Sequence, residues 1–466
     1  MLFNSFAFFI FFGVFWLVYR LLPPSYRKYG LLIASYFFYA FWNPAYGLLL
    51  IGSTTLDYVC SLQIEKHQTN VHLKKLFLLL SLTVNLGVLI FFKYIDFLGQ
   101  NIISLAQIIG LEADWVTLNL ILPLGISFYT FQTISYTLDV YWGRIQAERN
   151  FINLALYVSF FPQLIAGPIE RAKYLIPQFE KLRPQFNSEI IFWLTLGFFK
   201  KMVVADNLAP FVDRVFNAQL TASSFEYILG AYAFTIQIYA DFSGYSDIAV
   251  GLALMVGIRL HQNFRQPYFA ASFQEFWQRW HISLSNWLRD YLYIPLGGNR
   301  SSHRLFTYRN LLITMLLGGL WHGANWTFVV WGGLHGLYLI LERPFLHVTI
   351  KAFWIRLLKR ICVFQGVVLA FVIFRIESLH HFKEIVSLVG SSTLYFQYTS
   401  LPSVGLLFAF VSFLIDIAIT KQWLLITPKQ SSAKQYWTRY IVLLGLFWTI
   451  LFFGVFQGAQ FIYFQF

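Results

Sequence analysis

Five polar side chains stand where the surrounding sequence is apolar: Asp241, Asp247, His281, His322 and His335. An ionisable group in such a setting costs several kcal/mol in hydrocarbon, so each is a candidate for function. His322 follows the uncharged stretch 311–321 and sits beside Gly318, Gly319 and Gly323, whose missing side chains permit close approach of another backbone or a ligand. A neutral imidazole is cheap to bury. With an ordinary pKa near about 6.5 it can take the proton of a hydroxyl that attacks a thioester carbonyl. The plainer alternative is a packing histidine hydrogen-bonded between helices, and it is stronger for His335, which lacks a Trp-His-Gly context. His281, four residues after Trp277 and three before Leu284, flanks an apolar stripe and could face the mouth of a cavity. Asp241 and Asp247 fall in Tyr239-Ala240-Asp241-Phe242-Ser243-Gly244-Tyr245-Ser246-Asp247, where Gly244 and the serines should break or kink a membrane helix. They read either as a buried hydrogen-bond hub or as the cation or proton site of a transporter. Arg289-Asp290 reads as an interfacial ion pair or helix terminus.

Absent motifs narrow the chemistry. The sequence has no G-x-x-x-x-G-K-[ST] phosphate loop, no G-x-S-x-G elbow and no H-E-x-x-H helix, which argues against an ATPase, a serine hydrolase or a zinc protease. Cys60 and Cys362 lie in apolar sequence without a C-x-x-C partner, so neither a disulfide framework nor a metal site is expected.

These side chains need a scaffold, and the composition names its medium. The 466 residues are 58% apolar and 20% aromatic with only 12% charged, enough apolar sequence for about 13 spans of about 20 residues. Disorder, collagen and coiled coil are excluded. The net charge of +13 suits the basic cytoplasmic loops of a multi-pass membrane protein facing anionic lipid, and no nucleic-acid partner is expected. Apolar runs lie near 2–22, 29–42, 44–63, 76–98, 118–141, 151–166, 189–212, 225–257, 311–341, 361–376, 402–420 and 440–465. The first lacks a basic start and a cleavage site, so it reads as a retained span; Arg20, Arg27 and Lys28 after it place the N-terminus on the outer face. Breaks at Asn43-Pro44 and Gly167-Pro168 imply re-entrant or tilted segments, which at membrane depth must be shielded by protein or line a wet chamber.

Two more polar stretches, 167–188 and 261–310, read as surface-lying. In the second, Phe273, Phe276, Trp277, Trp280, Leu284, Trp287, Leu288 and Tyr291 recur at three- and four-residue spacing, which predicts one stripe of an amphipathic interfacial helix. No sequence-wide repeat is evident. A local echo relates Gly318-Gly319-Leu320-Trp321-His322-Gly323 to Gly332-Gly333-Leu334-His335-Gly336.

Three ordered blocks then carry a resemblance: Phe276-Trp277-Gln278-Arg279-Trp280-His281-Ile282-Ser283-Leu284-Ser285, Arg289-Asp290-Tyr291-Leu292-Tyr293-Ile294-Pro295-Leu296-Gly297-Gly298-Asn299, and Trp321-His322-Gly323. Supporting segments are Pro123–Phe131, Ala166–Arg171, Asp241–Asp247 and Phe461–Phe466. Together they resemble the membrane-bound O-acyltransferases, and within them the alginate O-acetyltransferase (AlgI) subgroup. The resemblance implies an all-α, multi-pass integral membrane protein in one domain, 1–466, with about 10–13 transmembrane or re-entrant helices around a central tunnel. Interfacial amphipathic segments would lie near 167–188 and 261–310, and the catalytic histidine region at 311–341. It implies that His322 deprotonates or hydrogen-bonds the accepting hydroxyl and that His281 positions donor or acceptor. Asp241, Asp247, Arg289, Asp290 and Trp321 would line or support the tunnel. The family further implies cytoplasmic acetyl-CoA or another acyl donor, with no tightly bound cofactor and no metal. It also implies an exported polysaccharide acceptor, periplasmic or extracellular acetyltransferase partners, membrane lipids, and residence in a bacterial inner membrane. Two alternatives stay open: another acceptor, as in D-alanylation of teichoic acid, or a transporter or flippase without covalent chemistry.

Overall fold

The computed structural model describes residues 1–112, 114–217, 222–300, 303–345, 352–391, 402–425, 433–456 and 461–462, and every regular element among them is helical. Of the segment Phe461–Phe466, residues 463–466 lie outside the described residues, as do 457–460 of the run 440–465. Asparagines set many of the helix starts. Asn43, Asn70, Asn150, Asn187 and Asn325 stand in extended backbone before a helix and accept an N–H two or three residues on, satisfying donors that no intrahelical carbonyl reaches. Among the described residues, five helices are long and apolar enough to cross a membrane: Pro44–Lys66, Val71–Ile108, Phe353–Arg375, Ser403–Thr420 and Gln435–Phe453. Their outer faces expose large apolar side chains such as Leu76, Ile102, Leu369, Phe410 and Trp448, which suits contact with lipid tails. The chain is an all-α, multi-pass membrane protein.

Helix boundaries correct several expectations. The run 118–141 is helical only from Ile126–Tyr141, because Gly125 takes a left-handed φ of 73° at its start. The run 151–166 breaks at Phe160, between Phe151–Ser159 and Phe161–Leu164, with Pro162 admitted in the first turn of the second helix. The expected break before Pro44 is present, as Asn43 caps the helix that Pro44 begins.

The chain divides into two compact units. The first comprises Met1, Phe9–Gln185 and Ala253–Leu260. In its interior the Asp57 carboxylate accepts from Ser81 Oγ at 2.5 Å and Asn85 Nδ2 at 2.9 Å, tying Pro44–Lys66 to Val71–Leu89. Outside its spans, Lys28 Nζ lies 2.7 Å from Glu180 Oε1 and, with Asn153, holds that carboxyl below its usual range. The stretch 167–188, expected on the surface, buries Ile169, Glu170, Ala172, Leu175 and Phe179.

The second unit comprises Leu2–Phe8, Phe186–Leu252 and His261–Phe466. Its core is dense in aromatic rings, among them Phe234, Tyr239, Trp280, Trp331, Phe371 and Phe374. Ser224–Val256 is one helix of 33 residues, so Gly244 and the serines do not break it. Gly244 instead serves close packing: a Cβ there would lie 2.8 Å from the Gly197 carbonyl oxygen and 2.9 Å from the Lys201 nitrogen. The amphipathic stripe is likewise not one helix. Phe273–Arg279 ends at Trp280 in extended backbone, His281 turns left-handed at φ 42°, and Ile282–Leu288 follows, leading into a π-helical turn, Arg289–Tyr293. The 261–310 stretch does not lie on the surface throughout, since Phe276, Trp280, His281 and Leu284 are buried in this unit.

The echoed glycines have a packing role. Arg304–His322 and Trp326–Glu342 form a hairpin in which a Cβ on Gly319 would run into the Phe328 carbonyl oxygen and one on Gly332 into that of Met315. The obstacle is backbone and cannot rotate away. Gly332→Ala is therefore expected to lower stability by about 1–3 kcal/mol, read as a lower midpoint of thermal unfolding in detergent. An unchanged midpoint would mean that the helices part without cost.

Candidate active site

His322 is the last residue of Arg304–His322, whose chain turns into extended backbone at Gly323. Its ring meets Trp321, Trp331 and Phe374 edge to face at centroid distances of 5.0, 5.0 and 5.4 Å. The imidazole is 4% exposed, so whatever it binds must reach it through protein. His281 lies deeper, with no exposed surface. A non-glycine residue at positive φ is uncommon and is held by its surroundings. Here Phe242 packs on its ring at 4.7 Å, and Asn263 Oδ1 lies 3.2 Å from Nδ1.

Asn263 also decides the tautomer. The Ser283 backbone N–H donates to Asn263 Oδ1 at 3.2 Å and the Ser283 hydroxyl at 2.9 Å, which identifies that atom as an acceptor. In the neutral ring the facing Nδ1 must then carry the hydrogen, leaving Nε2 as the basic nitrogen. The Asn263 backbone carbonyl accepts the Ile282 N–H at 2.9 Å, so a single residue fixes both the backbone turn and the ring. Trp321 joins the two histidines, its centroid 5.9 Å from that of His281 and 5.0 Å from that of His322. The structure thus brings His281, Trp321 and His322 into one buried aromatic cluster.

The other expected positions sit elsewhere in this unit. Asp241 pairs with Lys201 at 2.6 Å and accepts the Ile462 N–H at 2.7 Å; Lys201 also pairs with Asp206 at 2.8 Å. Asp247 pairs with Lys200 at 2.8 Å. Both carboxylates are therefore neutralised by lysines of the π-helical segment Phe199–Ala205, the arrangement of a hydrogen-bond hub. The network still reaches the histidines through packing, for Phe461 contacts Phe242 at 5.8 Å, the ring that lies on His281. Arg289 and Asp290 form an ion pair at 2.8 Å.

Arg289 also lines a cavity of about 550 Å³. Gln278, Asn286, Glu342 and Arg343 give it a polar lining, and Trp277, Leu288, Met315 and Leu339 an apolar one. Burial raises the Glu342 carboxyl above its ordinary range, although the Phe273 and Gln274 N–H groups donate to it at 2.6 Å each. Among the described residues no group of histidine, cysteine or carboxylate side chains could hold a metal ion.

Residues 146–380 match the membrane-bound O-acyltransferase family. The chain is a membrane-bound O-acyltransferase. Similar relatives include a probable alginate O-acetylase of Pseudomonas aeruginosa, 46% identical over 382 residues that cover 81% of this chain and 73% of the relative. A peptidoglycan O-acetyltransferase of Helicobacter pylori is 41% identical over 79% of this chain and 74% of the relative. A teichoic acid D-alanyltransferase of Streptococcus thermophilus is 28% identical over 48% of this chain and 57% of its own length. In this O-acyltransferase the matched region contains His281, His322, Asn263 and the cavity-lining residues named above.

Sequence reasoning missed Asn263, Lys200 and Lys201. The lysines carried a signal, two adjacent cations inside the apolar run 189–212, which demand buried anions. Asn263 carried none, since it reaches His281 through an irregular loop rather than at a helical spacing.

Proposed function

We propose that this O-acyltransferase acetylates an exported polysaccharide, taking the acetyl group from acetyl-CoA on the cytoplasmic side of a bacterial inner membrane and passing it across to the glycan or to an extracytoplasmic acetyltransferase partner. The observation that carries the proposal is the buried cluster of His322, Trp321 and His281, in a chain that is 46% and 41% identical to relatives named for O-acetylation. Burial suits the chemistry. Water that entered would compete with the accepting hydroxyl for the thioester, and aromatic walls exclude it.

In the proposed step the acceptor oxygen attacks the thioester carbonyl carbon while its proton moves to an unprotonated nitrogen of His322. As the tetrahedral intermediate collapses, the C–S bond breaks and the imidazolium returns the proton to the leaving thiolate. Products are the O-acetyl ester and the free thiol. His281, fixed by Asn263 with its hydrogen on Nδ1, orients one reactant through Nε2.

The test is the O-acetyl content of the surface polymer from cells lacking the gene, before and after complementation with the wild-type chain. Restored acetyl ester is expected. Acetyl content that does not depend on the gene, with D-alanyl ester content that does, would overturn the acetyl reading in favour of the teichoic acid type.

A further inference from the structure

Another cavity of the second unit, of about 520 Å³, opens beside the first turns of Phe353–Arg375. That helix gives its wall two cations, Arg356 and Lys359, together with the apolar Ile355, Leu358 and Val363. Glu275 and Glu342 also line it, but both carboxylates are committed elsewhere. Glu342 accepts the Phe273 and Gln274 N–H groups at 2.6 Å each, and Glu275 accepts the Ala271 N–H at 2.7 Å and pairs with Arg279 at 2.5 Å. Arg356 and Lys359 are uncommitted: among the described residues neither forms a hydrogen bond or an ion pair. The cavity therefore presents two spare positive charges on an apolar wall.

Its place in the fold identifies the ligand. Phe353–Arg375 is long and apolar enough to cross a membrane, and Phe353 and Trp354 at its start are exposed, as aromatic residues are at the headgroup level of a bilayer. Tyr338 donates to the Gly366 carbonyl at 3.2 Å, which ties this helix to Trp326–Glu342, and Glu342 and Val363 line the same cavity. The start of one helix thus lies beside the end of the other, and Arg343, Arg356, Lys359 and Arg360 gather there. An excess of Lys and Arg marks the cytoplasmic end of a span, where the leaflet is anionic, and basic pockets between spans on that side take lipid headgroups. Leu358 and Ile361, three residues apart and exposed, continue the apolar wall along the helix. A free phosphate or an acidic peptide would satisfy the cations and leave that surface bare, whereas a lipid covers both.

We infer that Arg356 and Lys359 seat the phosphate of an anionic glycerophospholipid from the cytoplasmic leaflet, whose chains run along the apolar outer face of Phe353–Arg375. The arginine offers a planar fork for two phosphate oxygens and the lysine a point charge. Glu342 lines this cavity as well as the one beside Arg289, so the lipid stands one side chain away from the latter without entering it.

The experiment titrates the full-length chain in detergent micelles with phosphatidylglycerol and counts bound lipid by native mass spectrometry, with phosphatidylcholine of the same chains as the neutral reference. Phosphatidylglycerol should bind at least about tenfold more tightly. Arg356→Gln and Lys359→Gln should each weaken it about fivefold and the double variant about twentyfold, with phosphatidylcholine unaffected, as expected when each cation near a lipid surface contributes about 1 kcal/mol. Arg360, exposed and outside the cavity lining, is the control, and Arg360→Gln should change binding less than about twofold. If the double variant does not fold, Arg356→Gln, at an exposed position, carries the test. Equal loss in Arg360→Gln would mean a diffuse basic surface, and no loss in the folded variants would remove the seat; either result overturns the inference. Displacement of the lipid by millimolar glycerol phosphate or by oligoglutamate would also overturn it, in favour of a soluble phosphate or an acidic segment.

Discussion

Acetyl transfer to the polymer is expected to fall by about 10²- to 10⁴-fold in His322→Ala, the range that loss of a general base produces. The imidazole ends a helix and touches Trp321, Trp331 and Phe374, so truncation also leaves a small cavity and some loss of stability. His322→Gln separates the two effects. It nearly conserves volume and can hydrogen-bond a hydroxyl, but it cannot accept its proton at neutral pH. Both variants should therefore be inactive, with the glutamine form closer to wild type in thermal midpoint. The assay is transfer of labelled acetyl by purified protein at matched amounts. Wild-type rates in His322→Gln would remove proton transfer by this residue from the mechanism.

Lys201→Met should produce the largest loss of stability of any single change in the second unit, about 3–5 kcal/mol. Lys201 is 2% exposed and pairs with both Asp206 and Asp241, so its removal leaves two buried carboxylates facing each other without a cation. Asp241 also receives the Ile462 N–H, and the adjoining Phe461 packs on Phe242, so the damage should spread toward His281. Adding Asp241→Asn and Asp206→Asn to Lys201→Met removes the orphaned charges, and an amide oxygen at 241 can still accept the Ile462 N–H. The triple variant should regain a good part of the lost midpoint in a thermal melt. If Lys201→Met melts like wild type, the network is not fully desolvated and the argument fails.

The two lysines show how far the sequence could be read. Hydropathy located nearly every long helix, because a bilayer demands long apolar segments and leaves a strong signal. The ordered aromatic and Trp-His-Gly blocks singled out His281, Trp321 and His322 through their family resemblance, and the fold gathers the three into one buried cluster. What escaped was geometry carried by single residues. The spacing of Phe276, Trp280, Leu284 and Trp287 continues across position 281 as if the helix did, yet one left-handed residue there divides it in two. Periodicity counts side chains and is blind to one dihedral angle. Gly244 misled in the opposite direction, since its service is to a neighbouring backbone and nothing in its own helix reveals that neighbour. Asn263 escaped because a loop brings it to His281, and loops have no period.

The left-handed turn at His281 also bears on mutational drift. At φ 42° most side chains strain the backbone, whereas asparagine and glycine tolerate it well. Asparagine is a single base change from histidine and keeps a hydrogen-bonding group on a short stem. Random change at this position is thus channelled toward a residue that preserves the turn while giving up the basic nitrogen. His322, in ordinary helical backbone, has no such privileged neighbour, and drift there is filtered by side-chain chemistry alone.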